Sequence, residues 1–189
     1  NLKYEINNDM NLRFVYGRTV ARPAFREIAP YAYYDFKEGW RVVGNPELKR
    51  TLIDNIDLRW EKFGQKGDNI SASIFYKYFT DPIELIDDPR ANNPEFNYVN
   101  INNSQLYGIE LEVKKHLSNI NLENFMIGGN FTLLKSEVEL VENFGGDENS
   151  GILIRRPMYG QAPWVVNSFI SYDNKDVGLS SNIVFNIEG

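Results

Sequence analysis

The chain has 189 residues, a net charge of −6, 42% hydrophobic residues and no cysteine. The negative balance speaks against a nucleic-acid surface, and the missing cysteines rule out a disulfide framework or a thiolate metal site. No run of about eighteen apolar residues occurs, so no transmembrane helix is expected, which leaves membrane-spanning strands open.

Residues 1–6 read as the tail of a strand, and Asn7-Asn8-Asp9-Met10 as a polar turn. The next run sets Leu12, Phe14 and Tyr16 on one parity and Arg13 and Thr19 on the other. It ends near Ala21-Arg22-Pro23, where proline stops ladder donation. A connection of about thirty residues follows to Thr51, with Tyr31, Tyr33, Tyr34, Phe36 and Trp40 in it; loops of that length usually have a task.

Ile56, Leu58 and Trp60 then alternate with Asn55, Asp57, Arg59 and Glu61, the cleanest period-2 segment of the chain. A short turn, Gly64-Gln65-Lys66-Gly67-Asp68, leads to a return strand with Ile70, Ala72, Ile74, Tyr76 and Tyr78 on one parity. A second long connection runs through Pro82, Pro89 and Pro94 to Ser104. Ile109, Leu111 and Val113 then oppose Glu110, Glu112, Lys114 and His116. After a turn at 118–121 the partner strand carries Phe125, Ile127, Phe131 and Leu133, interrupted by Gly128-Gly129 as a bulge or a close backbone approach would be. A third long connection, acidic and glycine-rich over 142–151, leads past Arg155-Arg156-Pro157 to Trp164, Val166, Ile170 and Tyr172. A turn at 173–176 leads to Leu179, Ile183, Phe185 and Ile187.

This gives about eight antiparallel strands, no convincing helix, and connections that alternate short and long. Greek-key sandwiches do not keep that alternation, whereas up-and-down barrels do. One face carries Asp57, Arg59, Glu61, Glu110, Glu112 and Lys114 and the other is apolar. In a membrane barrel the charged face must line the lumen, because Arg or Lys facing lipid costs about 2–4 kcal/mol at mid-bilayer. The aromatic content, 11 Tyr, 12 Phe and 3 Trp, suits girdles at the two interfaces. A soluble antiparallel sheet or sandwich with one wet face would show the same strand alternation, but not the loop rhythm. With no leader in Asn1-Leu2-Lys3-Tyr4 and no terminal character in Asn186-Ile187-Glu188-Gly189, a piece of a longer protein is expected.

Several clusters invite a functional reading. Arg18 and Arg22 can meet an anionic ligand near the strand top. The plainer reading is a strand-to-loop junction with the arginines paired to loop acids such as Glu27 or to lipid head groups. The loop aromatics Tyr31, Tyr33, Tyr34 and Trp40 can stack on a sugar or catechol ring, or simply pack on one another. The acidic set Glu137, Glu139, Glu142, Asp147 and Glu148 lacks a spaced calcium-ligand repeat and reads as a solvated charge run. His116 is the only histidine, and without a nucleophile elbow or partner ligands it supports neither catalysis nor metal binding.

The ordered set of residues 18–30 (Arg18-Thr19-Val20-Ala21-Arg22-Pro23 onwards to Pro30), Gly44-Asn45-Pro46-Glu47-Leu48-Lys49-Arg50, Asn55-Ile56-Asp57-Leu58-Arg59-Trp60-Glu61, Ser73-Ile74-Phe75-Tyr76-Lys77 with Pro82-Ile83-Glu84 close behind, Tyr107-Gly108-Ile109-Glu110-Leu111-Glu112 and Gly160-Gln161-Ala162-Pro163-Trp164-Val165-Val166-Asn167 resembles the C-terminal half of a TonB-dependent outer-membrane receptor. The resemblance implies that residues 1–189 are about eight strands of a plugged barrel of about 22, with the plug domain, the TonB-contacting segment and the closing strands outside this chain. It implies a receptor, not an enzyme, in the outer membrane of a Gram-negative cell, with no cofactor. The cargo would be a scarce nutrient: an iron chelate, a cobalamin-like cofactor or an oligosaccharide. The loops 20–51, 81–104 and 138–160 would capture it, with Arg22, Tyr31, Tyr33, Tyr34 and Trp40 as ligand-binding candidates. Asn55, Asp57, Arg59, Glu61, Glu110 and Glu112 would face the lumen and its plug. The TonB complex would supply energy through the plug, and whether a surface lipoprotein lids the barrel stays open. The alternative is a structural or protein-secretion barrel without nutrient uptake.

Overall fold

The computed structural model describes residues 1–87, 95–143 and 151–189. In chain order its elements are β1 (Leu2–Asn7), β2 (Met10–Ala21), a single helical turn α1 (Phe25–Ile28), β3 (Ala32–Asp35), β4 (Trp40–Val43), β5 (Thr51–Phe63), β6 (Asn69–Thr80), β7 (Ile83–Asp87), β8 (Glu95–Asn100), β9 (Asn103–Leu117), β10 (Leu122–Asn143), β11 (Gly151–Arg156), β12 (Trp164–Asn174) and β13 (Leu179–Glu188).

Eight strands form one antiparallel sheet in the order β1-β2-β5-β6-β9-β10-β12-β13, with β11 paired to the far part of β10. Each strand is a sequence neighbour of the next once the long connections are set aside, as in an up-and-down barrel. The short turns lie at one end of the sheet and the long connections at the other. Asn7 pairs directly with Met10, so the first turn is two residues, Asn8-Asp9, tighter than the other short turns. Gly178, at φ 66°, closes the last turn, where the Asn174 side chain accepts from the backbone N–H groups of Asp176 and Val177.

The long connections are not the unstructured loops that their composition suggests. The first contains α1, β3 and β4, and the second contains β7 and β8. Together they build a separate four-stranded sheet, β3-β4-β8-β7, whose central β4–β8 pair is parallel. In the third, β10 runs on past its barrel partners and folds back through β11, pairing Val138 with Arg156. The expectation of no convincing helix holds among the described residues, where the one α-helical element is the single turn α1, held by the Glu27 carboxylate accepting the Ala24 backbone N–H at 2.7 Å.

Gly128-Gly129 is a site of close approach, not a bulge. The β9–β10 register is unbroken from Met126 to Val138 and shifts only between Leu122 and Met126. A Cβ on Gly128 would stand 2.5 Å from the Phe169 ring, so the missing side chain makes room for that phenyl group.

Candidate functional site: the polar wall and the loop sheet

The cross-strand register sorts the side chains into rungs, because directly paired residues share a face. One rung crosses all eight strands as Glu5, Asn11, Glu61, Ser71, Glu112, Asn130, Asn167 and Asn186. The next rung on that face is Lys3, Arg13, Arg59, Ser73, Glu110, Thr132, Val165 and Glu188. Between the two, the opposite face shows Tyr4, Leu12, Trp60, Ala72, Leu111, Phe131, Val166 and Ile187. A one-residue slip anywhere would mix these faces, so the register itself separates polar from apolar.

The polar face is the sheltered one. Ser71 is 1% exposed and Glu61 8%, whereas Leu111 is 51% and Ile74 55% exposed on the apolar face. That inverts a water-soluble sheet, which buries its apolar side. The apolar band has aromatic or charged edges. Tyr16, Tyr76 and Tyr107 lie on one rung towards the long connections, level with Lys135. Phe125 and Tyr172 pack with their rings tilted at 54° and centroids 4.9 Å apart, towards the short turns. Lys135 and Phe125 are ten positions apart on β10. At about 3.4 Å per residue and a tilt of about 40°, the band is roughly 26 Å tall, against about 25 Å for the lipid-facing band of outer-membrane barrels.

On the polar wall Arg13 and Arg59 are paired with acids within and across strands. Arg59 donates to Glu61 (2.9 Å), to Ser73 (3.2 Å) and to Glu112 (2.6 Å), and the Arg13 Nε lies 2.7 Å from the other Glu61 oxygen. Asn55 reaches the carbonyls of Gly17 and Ile53 and the Thr19 hydroxyl with its amide nitrogen, and accepts from Lys77 at 3.0 Å. Glu110 accepts from Asn130 at 3.1 Å, Asn130 accepts from Asn167 at 2.7 Å, and Asn167 accepts from Asn186. This amide chain runs over four strands in one donor direction. The alternation signalled its face, but not the chain, since each asparagine is unremarkable within its own strand. Asp57 sits on the same wall without a hydrogen-bond or ion-pair partner among the described residues. The described residues of the wall offer charged and amide groups to a polar partner.

The loop candidates divide. The Tyr33 hydroxyl lies 3.0 Å from that of Tyr98, and the Arg26 guanidinium stands 4.7 Å from the Tyr33 ring centroid. Burial, more than the Tyr33 contact, pushes the Tyr98 hydroxyl well above the ordinary phenol range. Trp40 stacks on Phe96 at 4.3 Å. Tyr33 and Trp40 therefore pack the loop sheet. Tyr31 and Tyr34 are half exposed; Tyr34 donates to the Gly39 carbonyl at 3.0 Å and meets Phe36 edge-on at 5.1 Å. Arg22 is exposed beyond the end of β2 with no partner among the described residues, and Glu27 does not pair with it. Arg18 is instead held by Asp54 through two 2.8 Å hydrogen bonds.

In the acidic connection, Glu137 and Glu139 belong to β10 and pair with Arg155 at 3.6 and 2.6 Å. The side chain of Glu142 lies outside the described set, as do Asp147 and Glu148 altogether. His116 helps to fix a short turn. Its backbone N–H donates to Asp68 at 2.8 Å and its Nδ1 lies 3.2 Å from the same oxygen, while Lys115 holds the second carboxylate oxygen.

Comparison with known proteins is consistent with this geometry. Residues 1–186 match the family model "TonB dependent receptor-like, beta-barrel". No curated protein matches the chain. Among solved structures, the siderophore receptor PirA from Pseudomonas aeruginosa superposes with a TM-score of 0.63 at 15% identity, over 99% of this chain and 32% of that one. A mutant of the ferric enterobactin receptor PfeA from Pseudomonas aeruginosa, in complex with enterobactin, gives 0.58 at 15% identity, over 99% and 27%. The hemophore receptor HasR of Serratia marcescens, in complex with its hemophore HasA and heme, gives 0.64 at 14% identity, over 98% and 30%. The chain thus spans about a third or less of each of these structures.

Proposed function

This chain belongs to the TonB-dependent receptor β-barrel family, and on that premise we propose that it forms part of an outer-membrane receptor that captures a scarce nutrient at the cell surface and imports it. The observation that carries this reading is the set of rungs across the eight strands, mainly polar on one wall and apolar on the other, with the polar wall the more sheltered one from β2 to β10. The long connections face the outside of the cell, and the short turns face the periplasm. Of the three cargo classes, an iron-bearing compound is favoured, since the solved structures that share the fold are named for a siderophore, enterobactin and a hemophore with heme.

In the proposed mechanism no covalent bond changes. The loop sheet presents Tyr31 and Tyr34 outwards as flat, half-exposed surfaces for an aromatic or sugar-like cargo. The polar wall holds a plug domain through Arg59, Glu61, Glu110, Glu112 and the amide chain, with Asp57 left to meet it directly. Pulling on the plug by the TonB complex exchanges those contacts for water and opens the path.

The test is deletion of the full-length gene in its host, followed by uptake of radio-iron chelates, heme, cobalamin and oligosaccharides. Loss of one uptake activity, restored by the intact gene and not by one lacking its plug, is the expected result. Normal uptake of all four classes contradicts import and favours the structural or secretion barrel.

A further inference from the structure

We propose that a gap in the sheet beside β10 is a binding site for one carboxylated sugar unit, a hexuronate. The inference goes beyond the receptor reading, since it concerns an opening between strands on the long-connection side and no step of import depends on it.

β10 changes partners along one edge. Its pairing with β12 ends at Leu133 and Trp164, and its pairing with β11 begins at Val138 and Arg156. Residues 157–163 cross between the two partners without forming a strand. The sequence keeps them from closing the gap. Pro157 and Pro163 have no N–H to give to a ladder, and Gly160, at φ 72°, turns the chain. The result is a cleft of about 360 Å³ whose lining includes Leu134, Lys135, Ser136, Pro157, Gln161 and Pro163. That volume lies in the lower range of small-molecule sites.

The cleft holds polar groups with nothing to meet. Leu134 donates its N–H to the Pro163 carbonyl at 2.9 Å. Alternate residues of an antiparallel strand turn their backbone groups to the same edge, so Ser136 also presents its N–H and C=O to the gap. No backbone hydrogen bond from residues 157–163 reaches either group. The Ser136 hydroxyl accepts the Met158 N–H at 2.8 Å, which leaves its own proton to donate. Gln161 Oε1 is buried and accepts no hydrogen bond among the described residues. Buried groups of this kind call for a partner.

Two donors and two acceptors therefore lie around one cleft. A pair of neighbouring hydroxyls satisfies that pattern, because each hydroxyl both donates and accepts. Leu134, Pro157 and Pro163 supply apolar surface for the C–H face of a sugar ring. The charges select the kind of sugar. Arg155 is held by Glu137 and Glu139, and Arg156 by Glu84. The Lys135 ammonium has no partner among the described residues and is left to meet a carboxylate.

The experiment uses the full-length protein in detergent micelles and reads D-glucuronate binding by saturation-transfer NMR, with D-glucose and acetate as competitors. Glucuronate is expected to bind, with D-glucose about ten-fold weaker for want of the carboxylate and acetate weaker still for want of hydroxyls. Gln161→Leu should weaken glucuronate about five-fold, the effect of one hydrogen bond. Lys135→Gln, an exposed polar exchange that leaves folding intact, should weaken it about as much and flatten its salt dependence. Glu123→Gln, towards the short turns, should change nothing. Absence of glucuronate binding overturns the proposal. So do unchanged affinities in both variants, which place the sugar elsewhere, and equal competition by acetate, which reduces the site to a plain anion contact. Nutrient uptake should be normal in both variants, so the receptor reading stands or falls separately.

Discussion

Arg156 clasps Glu84. Its guanidinium stands 3.0 Å from the Glu84 carboxylate, which is only 3% exposed, and a second nitrogen donates to the Leu85 carbonyl at 3.2 Å. The same carboxylate accepts the backbone N–H of Tyr159 at 3.3 Å. One buried acid on β7 therefore ties the second long connection to the third. Removing the cation leaves a buried charge without its partner, whereas removing the acid frees an arginine that can turn to water. Arg156→Met is expected to cost about 2–3 kcal/mol of local stability and Glu84→Gln about 1–2 kcal/mol. Hydrogen exchange should show faster opening of 81–87 and 157–163 together; loosening of only one of the two would mean that the clasp does not couple them.

A backbone contact sets a second expectation. A Cβ added at Gly44 would fall 2.1 Å from the Ala29 carbonyl oxygen and 3.0 Å from that of Arg26, both backbone atoms that cannot swing aside. Gly44→Ala should therefore push the α1 turn off the loop sheet, at a cost in the overpacking range of about 1–3 kcal/mol or more. Limited proteolysis should cut near residues 26–45 in this variant and not in wild type, while the barrel strands stay protected.

The apolar rung sets a third. Leu111→Arg puts a guanidinium against lipid and should cost about 2–4 kcal/mol, while Thr132→Arg, one rung away on the polar wall, should cost far less. Folding titrations into bilayers from urea measure both, and equal costs would contradict the assignment of faces.

The turn acid sets a fourth, in pH. Asp68 is held down to about 2, first by the His116 backbone N–H and then by the Lys115 ammonium. A carboxyl whose folded pKa lies below its unfolded value contributes stability above that unfolded value, and loses it as pH falls through the folded one. The pin at the short-turn end should therefore hold at neutral pH and weaken between about pH 4 and pH 2. Asp68→Asn should remove that step from the acid-unfolding profile; an unchanged profile would show that the pin contributes nothing.

The strands were legible because each carries its own signal. Residues 55–61 alternate so regularly that their faces and bounds follow from the sequence, and β5 and β6 lie where alternation puts them. The loop sheet was not legible, because β3 and β4 are four residues each and β4 pairs in parallel with β8, more than fifty positions away. Such short segments have no period of their own and depend on a non-local partner. The aromatic set was visible as composition, but its division into packing residues (Tyr33, Trp40) and exposed ones (Tyr31, Tyr34) depends on Tyr98 and Phe96, which only the fold brings near. Gly128-Gly129 announced a bulge or a close approach without deciding between them; the unbroken register excludes the bulge, and the Phe169 ring is what comes close.

The most direct test of the central claim, that one wall meets lipid and the other the lumen, is a cysteine scan, for which these 189 residues offer a cysteine-free background and any cysteine elsewhere in the protein is first replaced by serine. Single cysteine substitutions at each position from Ile109 to Lys114 in the full-length protein, spin-labelled in a bilayer, report collision with lipid-dissolved oxygen and with an aqueous nickel chelate. The expected result is a period of two: oxygen-accessible labels at Ile109, Leu111 and Val113, and labels shielded from lipid at Glu110, Glu112 and Lys114. Equal accessibility at both parities, or the opposite phase, would contradict the account.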